Sequence, residues 1–178
     1  MGSFPTGVIA SKLKKGPDVR YSGSGHTGGT NTMRLLGVGA GVTVGLIDGA
    51  KGLVAWAVAF LLTLGSPWAL PLAGTLAVVG HCWPIYTRFH GGMGLGTGVG
   101  LVLVLSPLTV VLAALWWAGF FFGLFRRRFS PRSVTLALPI AVALSLAFFP
   151  LAVNVRWFLV LVTVVLVIRH LPEWNRER

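Results

Sequence analysis

The chain has 178 residues, of which 54% are hydrophobic and only 11% charged. With a mean hydropathy of +0.80, against the roughly 25% charge of soluble domains, this excludes an ordinary soluble globule. It points instead to one all-α, polytopic membrane domain over residues 1–178. Fifteen Lys and Arg against four acidic residues give a net charge of +11. The cations cluster between apolar runs, as cytoplasmic loops facing anionic headgroups do, and leave no basic face for nucleic acid.

Met1–Ser11 is apolar and is followed by Lys12, Lys14 and Lys15. As a helix it reaches only about 16 Å, half the hydrocarbon core. Its charges follow the apolar part, the reverse of a signal peptide. The expectation is a short first span sheltered by its neighbours, or the later part of a longer one. Tyr21–Gly37, YSGSGHTGGTNTMRLLG, is too polar to cross lipid and too rich in glycine for an ordinary helix interior. Val38–Leu64 is the next span, carrying Asp48 and Lys51 on one face, where they can pair as a structural or a catalytic couple. After a turn at Ser66 and Pro67, Trp68–Tyr86 has aromatic residues at its ends, as an interfacial belt requires. It contains Cys82, the only cysteine, which permits neither an intrachain disulfide nor a thiolate metal cluster.

A second polar, glycine-rich stretch runs over Thr87–Gly100. One helix over Gly94–Phe125 would measure about 48 Å, too long for a single crossing, so two short spans with a turn near Pro107 are expected. Arg126, Arg127, Arg128 and Arg132 form a basic loop before spans at Val134–Phe149 and Arg156–Ile168, and the tail Arg169–Arg178 is polar. The count is seven spans. Alternating crossings then put the Lys12–Arg34, Arg88, Arg126–Arg132 and Arg169–Arg178 groups on one side, with the N-terminus outside and the C-terminus cytoplasmic. The three polar segments meet at that face.

In the first polar stretch, glycines without Cβ let backbone N–H groups wrap an anion, Ser and Thr hydroxyls add donors, and Arg34 offers a fork for a phosphate dianion. The same composition also suits a flexible linker, with Arg34 a topology determinant. In the second stretch, Gly91 and Gly92 fit a loop against a ligand, and Gly94 to Gly100 fit a small-residue helix contact such as Gly92-x-x-x-Gly96. His26, His81, His90 and His170 show no metal-ligand spacing, and acids are too scarce for a carboxylate site. No metal is expected.

Three segments together resemble the bacterial acyl-phosphate:glycerol-3-phosphate acyltransferases, the PlsY family. That family carries GSGN-x-GATN-x-x-R, GH-x-x-P…F-x-GGKG and a C-terminal R-H. Here they stand as GSGHTGGTNTMR (Gly23–Arg34), GHCWPIYTRFHGGMGLGT (Gly80–Thr97) and Arg169-His170, with Asp48, Lys51 and Gly52 matching D-x-x-KG. The resemblance implies transfer of a fatty acyl group from acyl phosphate to the 1-hydroxyl of glycerol 3-phosphate, at the cytoplasmic face of a bacterial inner membrane and without a cofactor. It implies that His170, Asn31 and His26 act at the reacting groups. Substrate would be bound by Ser22, Ser24, Gly25, Thr30, Arg34, His81, His90, Gly91, Gly92 and Arg169. The chain departs from the motifs at His26, Gly29, His90, Met93 and Glu173. Two alternatives remain: a related acyltransferase with another acceptor, and a non-catalytic lipid- or phosphate-binding membrane protein or transporter.

Overall fold

A computed structural model describes residues 1–177; Arg178, the end of the basic tail, lies outside them. The described residues form eight α-helices and no strand. They are α1 (Thr6–Leu13), α2 (Gly29–Leu36), α3 (Val38–Leu62), α4 (Thr75–Cys82), α5 (Leu95–Leu105), α6 (Pro107–Ala118), α7 (Ser130–Phe148) and α8 (Val153–His170). A π turn at Leu70–Gly74 leads into α4, and another at Gly119–Leu124 extends α6. Each of the seven expected apolar segments is helical. Four continuous helical stretches are long and apolar enough to cross a bilayer: Val38–Leu62, Pro107–Leu124, Ser130–Phe148 and Val153–Glu173. The chain is a multi-pass helical membrane protein.

Several expected boundaries move. The polar stretch expected to lack helix contains α2, because Gly28 and Gly29 fall at its N-terminal end rather than its interior. There the absence of Cβ is used for packing: a side chain on Gly29 would strike the backbone of Gly41 and Gly45 on α3. Gly37, at φ +91°, turns the chain from α2 into α3, a conformation that favours glycine. The first helix begins only at Thr6, Arg132, expected in a loop, lies in the first turn of α7, and α8 starts at Val153 rather than at Arg156. The break expected near Pro107 is there: α5 ends at Leu105 and Pro107 opens α6, where its missing N–H costs no intrahelical bond.

The chain divides into two compact units, Met1–Leu101 and Val102 onward. In the first, α2 packs along α3, and α1 and α4 also lie on α3. Residues 96–101 of α5 meet α3 through glycines: a Cβ on Gly100 would overlap the Gly49 backbone, and one on Gly52 would press on Leu101 and the Thr97 carbonyl. Close backbone approach of this kind is how helices associate where lipid removes the hydrophobic driving force. It matches the helix contact expected for Gly94 to Gly100.

In the second unit α6, α7 and α8 pack in sequence. Phe158, Leu159, Val162 and Leu166 of α8 are buried, as are Val134, Ala137 and Ala141 of α7. A buried hydroxyl chain joins α6 to α7. Ser145 Oγ donates to the Ala141 carbonyl (2.8 Å), Thr109 Oγ1 donates to Ser145 Oγ (2.8 Å), and Ser106 Oγ lies 2.7 Å from Thr109 Oγ1. With the other two hydrogens committed, Ser106 is the donor in the last pair, so each hydroxyl proton has an acceptor.

Gly100→Val is expected to destabilise the detergent-solubilised protein by about 1–3 kcal/mol, the cost of overpacking a tight contact. Thermal unfolding checks this, and an unchanged midpoint would show that α3 and α5 are not in backbone contact.

Candidate active site

The first polar loop, residues 17–28, is built around one side chain. Asn31, in the first turn of α2 and 2% exposed, accepts the Ser24 N–H on Oδ1 at 2.9 Å. Its Nδ2 group lies 3.0 Å from each of the carbonyls of Val19, Ser22 and His26. A helix residue thus closes the loop around its own amide. Gly23 (φ +62°) and Gly25 (φ +74°) supply the left-handed turns this needs, and a Cβ on Gly23 would collide with Asn31 Oδ1. Val19, fully buried, anchors the loop's start. Asn31, expected to act on substrate, is therefore engaged at both ends by loop backbone and shapes the loop. Ser22, Ser24, Gly25 and His26 are half-buried in the ring it closes.

Thr30 and Arg34 sit four residues apart on the exposed face of α2. Asn31 shares the helix turn with them, so the loop and the guanidinium are held by one short rigid element. Arg34 has no hydrogen-bond or ionic partner among the described residues. Asp18 and Arg20, at the loop's entry, pair at 2.6 Å. Arg20's hydrogen bond holds the Asp18 carboxyl below its ordinary value of 3.8, against the opposing effect of partial burial.

The second segment has a different core. His81 lies in the last turn of α4, 5% exposed. Gly91 abuts the carbonyls of His81 and Cys82, and Gly92 donates its N–H to the His81 carbonyl at 3.1 Å while its Cα faces the His81 ring. A Cβ on Gly92 would overlap His81 Nε2, so this glycine is required by the histidine it covers. Thr87 Oγ1 lies 3.2 Å from the Pro84 carbonyl and 2.8 Å from the His90 carbonyl, closing the turn. His90 is exposed, with Nδ1 donating to the Arg88 carbonyl at 2.8 Å. Met93 is half-buried beside it.

Asp48 connects this segment to the N-terminus. Its Oδ1 accepts from Thr6 Oγ1 at 2.9 Å and pairs with Lys51 Nζ at 2.6 Å, and His81 Nδ1 stands 3.7 Å away. Lys51 Nζ also donates to the Phe4 carbonyl at 2.8 Å. Asp48 and Lys51 are 2% and 8% exposed, so the pair expected from their spacing is formed and is buried. Thr6 and the Phe4 carbonyl had no signal in the sequence, since an apolar run reads the same with or without one inward hydroxyl. Next along α1, Gly7 lies against the Thr27 carbonyl and Thr32 of the first polar segment. The short α1 thus touches the first polar segment directly and is linked to His81 of the second only through Asp48. Arg169 and His170 end α8 in the second unit, where His170 is buried and its Nδ1 donates to the Leu166 carbonyl at 2.7 Å.

Helices and loops of this kind define a multi-pass membrane protein with polar, glycine-lined segments held rigidly in its N-terminal unit. A family model described as glycerol-3-phosphate acyltransferase matches residues 1–177. The chain belongs to that family. It is 34% identical over 176 residues to the glycerol-3-phosphate acyltransferase of Aquifex aeolicus, covering 99% of this chain and 89% of that protein. With the Shouchella clausii enzyme of the same name it shares 37% over 172 residues, or 95% and 82% of the two chains. The match to the Halalkalibacterium halodurans enzyme is 50% identical over 107 residues, 60% of this chain and 52% of that one. Among solved structures it resembles PlsY, an integral membrane glycerol 3-phosphate acyltransferase, in its glycerol 3-phosphate form. The TM-score is 0.79 at 32% identity, covering 99% of this chain and 88% of that one. The lysophosphatidic acid form of the same enzyme matches at 0.78.

Two outcomes are expected here. Asp48→Asn alone leaves the Lys51 ammonium buried without its counter-charge and should cost about 3–5 kcal/mol, and adding Lys51→Met should recover most of that loss. Denaturant titration in detergent reads it, and equal costs for single and double variants would show that the pair is not coupled. Asp18, whose folded-state carboxyl titrates below 3.8, stabilises the loop entry fully above that value and loses the contribution as pH falls through its lowered one. Amide exchange over residues 19–25 should therefore rise only in strong acid, and a rise centred near pH 6 would contradict it.

Proposed function

We propose that this chain transfers a fatty acyl group from acyl phosphate to the 1-hydroxyl of glycerol 3-phosphate, at the cytoplasmic face of a bacterial inner membrane. The observation that carries the reading is Arg34. It is an exposed guanidinium, unpartnered among the described residues, set on the same short helix as the amide that closes the Ser22–His26 loop. A planar fork beside a ring of N–H and hydroxyl donors is suited to a phosphate dianion.

The chemistry asks little of the protein beyond placement. The acceptor hydroxyl oxygen attacks the acyl carbonyl carbon, the bond from that carbon to the phosphate oxygen breaks, and the hydroxyl proton leaves with the released phosphate. The product is lysophosphatidic acid. The donor is already activated, so the site has only to bring two anions together and to stabilise the carbonyl oxygen as charge develops on it. A chain with few acids suits this, since its cations offset the repulsion between the phosphates. In this reading Ser22, Ser24, Gly25, Thr30 and Arg34 grip phosphate. Gly91 and Gly92, with His81 behind them and His90 at the rim, line the donor side. By the family resemblance, His26 and His170 act at the reacting groups and Arg169 binds substrate. All seven apolar helices cross or enter the bilayer, with the N-terminus outside and the C-terminus cytoplasmic, which gathers the basic segments on one face.

A second reading, a related acyltransferase using another hydroxyl or phosphorylated acceptor, is favoured by one observation. Where the family motif has lysine this chain has Met93, and a thioether cannot grip phosphate.

Purified protein in lipid vesicles, given long-chain acyl phosphate and glycerol 3-phosphate, is expected to release phosphate and lysophosphatidic acid. Arg34→Ala should lower kcat/KM about tenfold to a hundredfold, the worth of a charged hydrogen-bonding fork. Absence of turnover, or turnover indifferent to Arg34, would defeat the first reading. Turnover with a different acceptor in a panel, unimproved for glycerol 3-phosphate by Met93→Lys, would defeat the lysine argument.

A further inference from the structure

The first turn of α7 and the residues just before it carry a side-chain cluster built on Arg132. Arg132 places its guanidinium carbon 3.8 Å from the Phe129 ring centroid, 5.6 Å from that of Trp174 and 5.9 Å from that of Phe125. The same group donates from Nε to the Trp174 carbonyl at 2.9 Å and from Nη2 to Asn175 Oδ1 at 2.6 Å. One turn earlier Arg128 stacks on Phe129 at 5.7 Å and pairs with Glu177 at 2.7 Å. Residues 174, 175 and 177 are thus held by two arginines four positions apart. Arg176 folds back onto Glu173 at 2.8 Å, which tightens the tail between those holds.

The clasp has a definite target. Only the 3-10 turn Leu171–Glu173 separates Trp174 from His170, the last residue of α8. Helix ends fray, because the last four carbonyls have no intrahelical partner. The acceptor of the His170 Nδ1 hydrogen bond, the Leu166 carbonyl, belongs to that same last turn. A fraying turn would loosen the ring together with its acceptor. Pinning the tail just beyond the turn removes that freedom. Arginine suits this role because a flat, permanently charged fork satisfies two acceptors in its plane while its faces stack on rings, which an ammonium cannot do.

We propose that Arg132 is a positioning residue, whose grip on residues 174–175 fixes the C-terminal turn of α8 and with it the orientation of Arg169 and His170. It rests on the acyl-transfer reading only in that these two residues serve that reaction.

The test uses the full chain in lipid nanodiscs, with a nitroxide label at Leu171→Cys or at Arg176→Cys; Cys82 is fully buried and does not compete for reagent. Both labels are expected to be immobile in the parent and mobile with Arg132→Gln. In the unlabelled Arg132→Gln variant kcat/KM should fall about tenfold, the scale of a modest misplacement of a reacting group. Arg132→Lys keeps the charge but should leave the labels mobile and recover little activity. An immobile label at position 171 in Arg132→Gln overturns the proposal. So does a mobile one with kcat/KM unchanged, and so does full rescue by Lys. Should the parent show no acyl transfer, the functional reading fails on its own account. The clasp is then decided by the label at 171, mobile in support and immobile against.

Discussion

A carboxylate inside a lipid-embedded bundle must be surrounded by partners, and Asp48 shows how far that requirement organises a fold. An isolated charge at this depth costs several kcal/mol even after relaxation, so the structure brings it a cation, a hydroxyl and an imidazole. The cation is Lys51 on the same helix, the hydroxyl comes from Thr6 on α1, and His81 from α4 stands alongside. Lys51 in turn takes the Phe4 carbonyl. Two segments distant in sequence, the N-terminal stretch Phe4–Thr6 and α4, are thereby tied to the middle of α3. The segments next along the chain are placed by the same ties: the first polar loop after α1, and the Gly91-Gly92 turn after α4.

The glycines serve two distinct purposes. Gly29, Gly41, Gly49, Gly52 and Gly100 let helices approach at backbone distance, which lipid-embedded packing favours. Gly23, Gly25 and Gly92 answer to a particular side chain. The first two make the turns that Asn31 closes, and the last makes room for the His81 ring. Two polar segments of like composition therefore have unlike interiors, one built on an amide and one on an imidazole. The loop that looks flexible by composition is held by a single side chain, whose Oδ1 accepts from the Ser24 N–H and whose Nδ2 faces the carbonyls of Val19, Ser22 and His26.

Membership of the glycerol-3-phosphate acyltransferase family and the departures from its motifs fit together in physical terms. Glu173, where the family's third segment differs, is taken up by Arg176 within the tail. Met93 follows a turn whose conformation is kept by Thr87 and by left-handed Arg88 and Phe89.

Composition and period were enough to establish a helical membrane protein, the positions of its apolar segments, the break before Pro107 and the Asp48–Lys51 pair. These depend on local quantities: run length, hydropathy, the missing N–H of proline and the three-residue spacing of a helix face. Motif order was enough for the family. The sequence alone did not show that Tyr21–Gly37 contains α2, because glycine at a helix's first turn and glycine in its interior read alike. Nor did it show Thr6 and Phe4 at the buried charge, the Asn31 staple, or the tail held by Arg132. Each is a contact between residues far apart along the chain, or a choice among several acceptors within reach. Only folding selects the partner, since lipid leaves no water to satisfy the polar groups that are not chosen.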